Sequence, residues 1–391
     1  LRYSLFNNLS ASGVIRHSIF FLFLSFSTHA QERTMGVFLN TEDAYNGYTL
    51  MSSNETTYLI DICCYIFNTR ISGYKSGHGV YLLPNGDLLR AGLLADYFNA
   101  GGRGGIFELY DWNGNLKWQY EIASPNRQAH HDIAPLPDGN FLCTVWELKS
   151  EAEAKAQGRK YNGEVWSERI LEIEIQPNNQ AKIVWEWSIW DHLVQDHDAN
   201  KLNYDDIQEH PELLDINYIG QGHETSGNWL HINAIDYNAA LDQIVISSRN
   251  LSEIYVIDHS TSTAEAASHS GGKYGKGGDL LYRYGNPQVY RKGTEEDRQL
   301  SGQHDIRWIP DSLDFGGECM VFNTEYLEGQ QSRVQVFHNP AKTDGIYEYD
   351  LDEGYGKDSL IRTYTTPSLY SDILSGAEIM PNGNWLILEG R

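Results

Sequence analysis

A short motif that recurs along the chain constrains its fold more than any other feature of the sequence. The motif opens with a histidine, continues as an apolar strand, and in most copies reaches a proline and an Asn-Gly or Asp-Gly turn. Copies begin at His78, His131 and His304, and a copy headed by Ser375 keeps the spacing without the histidine. A fifth copy, at His231, keeps the strand and the turn but lacks the proline. One strand-and-turn unit used several times predicts a repeat fold.

Between the heads of these copies, apolar and polar residues alternate with the period of two that is typical of β-strands. Segments 105–111, 170–175 and 254–258 are examples, and each is followed by another strand-like segment. Period-2 strands joined by glycine turns, repeated every roughly 50 to 100 residues, are typical of a β-propeller. With a headless first unit near 48–70, the sequence predicts an all-β protein with six blades. The last unit ends with the chain just after its head strands, so we expect a C-terminally truncated last blade.

Three insertions make the spacing of the units irregular. Residues 147–163 are charged and rich in Ala, Glu and Lys, which predicts an exposed excursion. Residues 190–227 carry many Asp, Glu, His and Asn residues, and we interpret them as a lid or loop over one face. Residues 259–279 are rich in Ser, Gly and Lys, which predicts a flexible loop.

The beginning of the chain has the pattern of an export signal. Arg16 and His17 precede an apolar run at 19–26, and the small residue Ala30 follows shortly afterwards. This pattern predicts a signal peptide over residues 1–30 and a periplasmic or secreted protein. The alternative is a stray hydrophobic leader from a wrong start codon. The run is shorter than the about 20 residues of a membrane-spanning helix, and no later segment qualifies. Residues 31–391 are therefore predicted to form a single propeller domain without a membrane span.

Charge and cysteine content exclude other classes of protein. The chain has 29 basic and 53 acidic residues, a net charge of −24, and a protein so acidic repels the phosphate backbone of nucleic acids. The cysteines do not show the Cys-x-x-Cys spacing of a zinc or redox site. They are predicted to be buried thiols in strands: Cys63, Cys64, Cys143 and Cys319.

The histidines at the heads of the units are the first candidates for a functional site. The first strand of each propeller blade lines the central channel, so His78, His131, His231 and His304 are predicted to face one funnel. The alternative is that the repeat uses histidine at this position for folding reasons alone.

Two further polar residues belong with His231. Strand alternation places His231 and Asn233 on one face, and the strand at 243–248 returns the chain so that Arg249 follows nearby. Imidazole, carboxamide and guanidinium groups together bind anions, and arginine can donate to two oxygens at once. The alternative is a surface arginine paired with one of the many acidic residues.

Several longer motifs, spread over residues 36–391, accompany these candidates. They are Gly47-Tyr-Thr-Leu50, Tyr58-Leu-Ile-Asp61, His130-His131-Asp132, Leu136-Pro-Asp-Gly-Asn140, Trp229-Leu-His-Ile-Asn233, Ser247-Ser-Arg-Asn250, Gly278-Asp-Leu-Leu-Tyr-Arg-Tyr-Gly285 and Gly302-Gln-His-Asp305. In these motifs the chain resembles the bacterial aryl-sulfate sulfotransferases, which are six-bladed propeller enzymes that use no nucleotide sulfate donor. The resemblance implies an aryl sulfate donor, a phenolic acceptor and a covalent sulfohistidine intermediate. It implies no cofactor and no metal, and it leaves a homodimer open.

The resemblance also implies a role for most of the candidate residues. His304 matches the histidine that becomes sulfated, and His131, which shares its repeat position, is chosen over His130 as the general acid and base. A protonated His231, Asn233 and Arg249 would hold the transferring oxygens, while Tyr and Trp residues of the funnel would stack on the aryl ring. The family gives His78 no catalytic role, and we expect it to contact the substrate.

Two alternative functions stay open on the sequence alone. The chain could be an extracellular propeller that binds a ligand without catalysis. It could also be a pyrroloquinoline-quinone dehydrogenase, as Cys63-Cys64 and the turn between Asp111 and Trp118 suggest. Those enzymes resemble an eight-bladed propeller, which this chain is too short to build, and their acidic calcium site is not evident.

Overall fold

The computed structural model describes residues 36–390 apart from 38, 95, 221–225, 325–330, 342–343, 352–353 and 356–358. The chain divides into two units, Leu1–Leu39 and Asn40–Arg391. Almost all of the first unit, including the predicted signal peptide at 1–30, lies outside the described residues. The second unit contains all the strands given below.

Five sheets of three to five strands follow one another along the second unit, and the strands within each sheet are antiparallel. The first sheet holds β1 (Tyr48–Ser53), β2 (Thr56–Asp61) and β3 (Ile66–Ile71). The second holds β4 (Lys75–Leu82), β5 (Leu88–Leu93), β6 (Gly105–Tyr110) and β7 (Leu116–Glu121). The third holds β8 (Ala123–Ser124), β9 (Arg127–Pro135), β10 (Phe141–Lys149), β11 (Val165–Gln176) and β12 (Gln180–Ser188).

A short parallel pair separates the third sheet from the fourth, and it consists of β13 (Leu193–Val194) and β14 (Leu214–Asp215). The fourth sheet holds β15 (Ile232–Asn238), β16 (Gln243–Ser248), β17 (Glu253–Asp258) and β18 (Tyr282–Tyr284). The fifth holds β19 (His304–Trp308), β20 (Cys319–Asn323), β21 (Arg333–Phe337) and β22 (Leu360–Tyr364). A two-stranded sheet of β23 (Gly376–Ile379) and β24 (Trp385–Leu388) follows.

The first strands of successive sheets stand side by side, in the order β1, β4, β9, β15, β19 and β23. Carboxylates on these strands accept hydrogen bonds from the backbone of the next sheet. The bonds run from Ile235 N to Asp132 Oδ2 at 3.2 Å, from Trp308 N to Asp236 Oδ2 at 2.8 Å, and from Ala377 N to Asp305 Oδ2 at 2.9 Å. Sheets whose first strands meet around a common centre form a β-propeller-like arrangement. The predicted all-β, propeller-like fold is confirmed with five blades.

Apolar seams between neighbouring sheets hold the blades together. Successive residues of a strand point to opposite faces, so one strand can fill two seams. In β16, Ile244 and Ile246 pack toward the third sheet, whereas Val245 packs toward the fifth. Both faces are therefore buried, and strands such as β16 and β17 are buried along their whole length with an apolar run in the middle.

The four cysteines fall into two groups. Cys143 in β10 and Cys319 in β20 are buried free thiols in such seams, as predicted. The prediction was wrong for Cys63 and Cys64, which are exposed free thiols in the turn between β2 and β3. There the carboxylate of Asp61 accepts hydrogen bonds from the backbone of Cys63 and Tyr65, and this turn needs no buried side chain.

Helices are few and short. They are α1 (Glu151–Ala156) and α2 (Thr263–Ala266), with 3₁₀ turns at Ile189–Asp191, Ile207–Glu209, Pro287–Tyr290 and Glu295–Asp297. Capping boxes begin α1 at Ser150 and α2 at Ser262. Among the described residues, no helix has the length and apolar character needed to cross a membrane.

The three insertions contact one another instead of standing free. Arg159 Nη1 donates to the carbonyl of Ile216 at 2.7 Å, which joins the first insertion to the second. Leu280 N, next to the third insertion, donates to the carbonyl of Glu212 in the second at 3.0 Å. The prediction of a flexible loop at 259–279 was wrong, because α2 and contacts distant in sequence fix this segment.

The hairpin of β23 and β24 occupies the position after the fifth blade. Ala377 contacts the fifth sheet through Asp305, as above. At its turn, the Nδ2 atoms of Asn382 and Asn384 donate to the carbonyl of Asp43, just before β1, at 3.1 and 2.7 Å. The hairpin thus connects the end of the ring to its beginning, while a sixth blade with missing outer strands stays a prediction.

Candidate active site

The heads of the repeat units lie at breaks in the β ladders. The pairing register shifts there in the second, third, fourth and fifth sheets, as at a β-bulge. A left-handed backbone occurs at or beside each head: at His78 (φ 81°), His131 (49°), His231 (54°), Asp305 (56°) and Ser375 (84°), with Leu374 (61°) before the last. Residues other than glycine rarely adopt this conformation, and such strain concentrates at functional sites. The bulges therefore mark the channel end of the blades as the candidate site.

The structure brings the four head histidines together. The ring of His131 lies 4.6 Å from that of His231 and 6.4 Å from that of His78, measured between centroids. Electrostatic interactions extend the group to His304 and Arg249, since the arginine's charge lowers the pKa of both His231 and His304. These residues are distant in sequence and meet because each blade delivers its first strand to the same channel.

The two remaining candidates lie beside these histidines. Arg249 follows β16, and its backbone N–H donates to the carbonyl of His231 at 3.2 Å, as the predicted hairpin requires. Asn233 is buried, and its Nδ2 donates to the carbonyl of Gln303 at 2.7 Å, directly before His304. The bulge at Ile232 interrupts the simple alternation that we expected between His231 and Asn233.

A hydrogen-bonded chain behind His131 was not predicted from the sequence. Glu168 Oε2 lies 2.8 Å from His130 Nε2, and His130 Nδ1 lies 2.8 Å from His131 Nδ1. Glu168 is buried in the middle of β11, and its other oxygen accepts the backbone N–H of Ile232 at 3.0 Å. Since His131 Nδ1 is committed to His130, Nε2 is the nitrogen that His131 offers to a substrate. β11 also contains Glu172 and Glu174, so its sequence does not single out Glu168 as the carboxylate that meets His130.

The histidines of the site are neutral at pH 7. Burial, reinforced by the charge of Arg249, lowers the pKa of His231 and of His304 to about 3. Burial also lowers the pKa of His130 and of His131 well below the usual value. His78 still reaches solvent, and partial desolvation lowers its pKa as well. The protonated His231 expected from the sequence is thus not the form present in the free protein.

Neutral His231 is nevertheless a hydrogen-bond donor. Asn228 Nδ2, which can only donate, lies 2.8 Å from His231 Nδ1. Nδ1 therefore accepts, and the ring carries its proton on Nε2. His231 can donate from that atom to an anionic oxygen without carrying a charge.

His304 has a defined arrangement of its two ring nitrogens. The backbone N–H of Leu374 donates to Nε2 at 3.3 Å, so Nε2 carries the lone pair of the neutral ring. Buried Nδ1 has no hydrogen-bond partner of ordinary geometry among the described residues, although the Gly302 carbonyl raises the pKa of the ring. A lone pair on one ring nitrogen and a proton on the other, near the Gly302 carbonyl, suit a nucleophile.

The aromatic residues beside the site support the histidines. Trp146 is fully buried and stacks on His130 at 4.0 Å with an angle of 10° between the rings. Phe98 packs against both Trp146 and Trp166 at 5.6 and 5.0 Å. Of these three residues Trp166 is the one that is partly exposed, so it is the one that can meet a substrate ring as expected.

Gly102 sets the position of His131. Its φ is +75°, its carbonyl accepts the backbone N–H of His131 at 2.5 Å, and a Cβ atom there would lie 1.9 Å from His131 Nε2. We expect Gly102→Ala to displace the ring and to lower the transfer rate about 10²-fold, since a misplacement of about 1 Å costs that much. Steady-state rates and thermal melting measure the effect. Gly101→Ala is the matched control, because no described atom lies within 4 Å of its added Cβ; equal activity of the two variants would contradict the expectation.

The candidate site does not contain a metal-binding arrangement of its own. Within the described part of the chain, one group of side chains could hold a metal ion, formed by His192, His269 and Asp279. It belongs to the insertions and not to the head strands.

Comparison with known proteins identifies a family. The family model described as Arylsulfotransferase (ASST) matches residues 102–391. Among solved structures, a protein of unknown function from Bacteroides caccae is 10% identical, with 88% of this chain and 83% of that chain covered and a TM-score of 0.47. Hydrazine synthase from Kuenenia stuttgartiensis is also 10% identical, with 88% and 80% covered and a TM-score of 0.45. Structural likeness of this degree carries no argument about function, and no curated protein matches the chain.

Proposed function

Because the chain belongs to the arylsulfotransferase family, we propose that it moves a sulfuryl group from a phenolic sulfate ester to an acceptor phenol through a sulfohistidine at His304. Family membership supports sulfotransferase activity in general. The residues and the covalent intermediate are supported by one observation above all, the convergence of four neutral imidazoles and Arg249 at the channel. The scheme uses groups of the protein alone and calls for no nucleotide, metal or other cofactor.

In the first half of the reaction, His304 Nε2 attacks the sulfur of the donor. The bond between sulfur and the phenolic oxygen breaks, and its electron pair goes to that oxygen. The backbone N–H of Leu374, which donates to Nε2 at 3.3 Å in the free protein, gives up that hydrogen bond as the lone pair moves to sulfur. In this scheme the released N–H and the guanidinium of Arg249 then interact with the sulfuryl oxygens. His231 donates from Nε2 as a neutral group. Donors fixed in advance around developing charge typically contribute several kcal/mol.

The chain from Glu168 to His131 supplies the proton for the leaving phenoxide. Burial raises the pKa of Glu168 well above its usual value, which favours the protonated carboxyl. In the proposed scheme this carboxyl donates to His130 Nε2 before the reaction. His130 Nδ1 then donates to His131 Nδ1, and His131 Nε2–H protonates the phenoxide. One proton shifts along each hydrogen bond, which leaves Glu168 ionised and His131 Nε2 with a lone pair.

The second half reverses each step. His131 Nε2, now a base, removes the proton of the acceptor phenol as its oxygen attacks the sulfuryl group. The N–S bond to His304 breaks, its electron pair returns to Nε2, and the proton moves back to Glu168. The cycle takes up no net proton, because each half uses the same proton in opposite directions.

A transfer assay without nucleotide tests the proposed function. Purified full-length protein is mixed with 4-nitrophenyl sulfate and phenol, and 4-nitrophenol and phenyl sulfate are quantified. We expect equal amounts of both products and a rate that depends on phenol. Release of inorganic sulfate without phenyl sulfate would identify a sulfatase instead, and an absence of turnover with a range of esters would favour a non-catalytic binding protein.

Two finer features of the protein belong to the same proposal. We propose that β23 and β24 are the inner half of a sixth blade, supported by their hydrogen bonds to Asp305 and Asp43. We also propose export with cleavage near Ala30, supported by the basic and apolar pattern of residues 16–30. Mass spectrometry of the mature protein tests the second point, because an N-terminus far from Gln31 would contradict it.

A further inference from the structure

Two insertions meet at a cluster of side chains that sulfuryl transfer does not use. His192 belongs to the insertion at 190–227, while His269 and Asp279 belong to the Gly-rich segment that ends at β18. Asp279 Oδ1 lies 2.8 Å from His192 Nδ1 and 2.7 Å from His269 Nδ1. One carboxylate oxygen thus faces two imidazole nitrogens, and the three ligand atoms all lie within 4.8 Å of one another.

The hydrogen bonds of His192 indicate a cation between these atoms. Its Nε2 lies 2.8 Å from the carbonyl oxygen of Ala266, which can only accept, so Nε2 carries the ring proton. A neutral ring then presents the lone pair of Nδ1 to a carboxylate oxygen, and two lone pairs at 2.8 Å repel. A second proton on His192 or a metal ion removes this repulsion, and only the metal ion binds both imidazoles and the carboxylate together. A backbone carbonyl bound to the far nitrogen is also how metal-binding histidines are usually oriented.

The surroundings of His192 fix its ring. Trp187 lies parallel to it, with 5.7 Å between ring centroids and 6° between planes, and Trp187 Nε1 donates to the carbonyl of Gly278 at 2.7 Å. A Cβ atom on Gly278 would lie 2.6 Å from His192 Nε2 and 2.0 Å from the Ala266 carbonyl oxygen. The ring of His192 is therefore fixed before any metal binds, and only a glycine fits behind it.

The other side of the cluster opens to solvent. The side chain of His269 is 62% exposed, and it borders a cleft of about 370 Å³ that Trp190 and Tyr204 also line. Solvent can thus supply a fourth ligand. Zinc prefers nitrogen and carboxylate donors in a tetrahedron with bonds of about 2.0 to 2.2 Å, which places ligand atoms about 3.3 Å apart. Asp279 Oδ1 and each of the two imidazole nitrogens need to move apart by about half an ångström.

We propose that His192, His269 and Asp279 bind a zinc ion that clips the two insertions together. The ion would join residues 87 positions apart in sequence, beside the third and fourth blades. Its role is structural, because its ligands come from the insertions and not from the head strands. The sequence alone did not suggest the site, since its three ligands do not follow a short metal-binding spacing.

Metal titration of the full-length protein tests the proposal. After removal of metal, we expect one equivalent of Zn²⁺ to bind and to raise the melting temperature, and Co²⁺ in its place to give visible absorption bands. His269→Gln should lower the affinity by at least the about 10- to 100-fold that loss of an outer-shell partner costs. It should also remove the zinc-dependent rise in melting temperature. Because His269 is exposed, the metal-free melting temperature should stay unchanged.

The matched control is His197→Gln, which replaces another exposed histidine of the same insertions. It should bind zinc as the unmodified protein does. Failure of the unmodified protein to bind one equivalent would overturn the proposal, as would tight binding by His269→Gln. Binding that is lost in His210→Gln and kept in His269→Gln would place the metal at a different cluster and would overturn it as well. The sulfuryl-transfer scheme does not depend on any of these outcomes.

Discussion

Aryl sulfate mixed with the protein in the absence of an acceptor should release phenol in a burst of about one equivalent and leave a sulfuryl group on His304. The first half-reaction can run without the second, since the covalent intermediate waits for an acceptor. Rapid-mixing absorbance measures the burst, and mass spectrometry of peptides locates the added sulfuryl group. His304→Ala should abolish both the burst and the label and lower transfer by at least about 10³-fold, as expected for loss of a nucleophile.

Arg249→Ala separates charge stabilisation from bond formation. Loss of one oxyanion-stabilising donor typically lowers the rate about 10²- to 10³-fold, so this variant should react slowly while His304 still carries the label. His197→Gln, on an insertion, should behave as the unmodified protein does. A label on His131 or His231 with His304 unmodified would show that the nucleophile is wrongly assigned. Ternary-complex kinetics without any label would reject the covalent scheme itself.

The burst should also depend on pH in an unusual way. Burial and Arg249 keep the pKa of His304 at about 3, so its imidazole stays unprotonated between pH 7 and pH 5 and its rate of labelling should be flat. An ordinary imidazole, with a pKa of about 6.5, would lose its nucleophilic form over this range. The same shift acts on stability with a definite sign. At His304 the unfolded chain binds a proton below about pH 6.5 and the folded site does not, so the contribution of this histidine to stability is full above that pH and is lost as the solution becomes more acidic.

The second large effect concerns His131 and the leaving group. His131→Ala should slow the burst of phenol from phenyl sulfate about 10²- to 10⁴-fold, the usual contribution of a general acid. The burst of 4-nitrophenol from 4-nitrophenyl sulfate should slow far less, since nitrophenoxide leaves without needing a proton. Rates measured over a series of ring-substituted esters give the dependence on the leaving group.

Glu168→Gln tests whether the buried chain carries the proton. Glutamine can keep the hydrogen bond from Ile232 but cannot exchange a proton with His130, so the variant should show the same dependence on the leaving group in weaker form. His78→Ala is the comparison variant. His78 stacks near His131 but stands outside the chain of hydrogen bonds, and its loss should affect good and poor leaving groups equally. Equal losses for all esters in the His131 variant would remove it as the acid.

Repeat spacing predicted the blades and the meeting of the histidines because equivalent positions of a propeller meet at one channel. The short hairpin before Arg249 also predicted its contact with His231, since both belong to neighbouring strands. Glu168 escaped prediction because its contact with His130 depends on the pairing of distant strands within the third sheet. The protonation state of His231 was not predicted correctly, because a sequence does not reveal how deeply a ring is buried.

At the left-handed positions of the heads, the residue type that gives the most stable fold differs from the one that catalysis uses. Glycine and asparagine tolerate this conformation best, and other residues store about 1 to 2 kcal/mol of strain there. His78, His131 and His231 each sit at such a position, whereas in the fifth blade the strain falls on Asp305 and spares His304. A selection scored only by thermostability should therefore replace the first three histidines with asparagine or glycine and retain the nucleophile. The selected proteins would be more stable, and they would keep the nucleophile while losing the histidines that assist it.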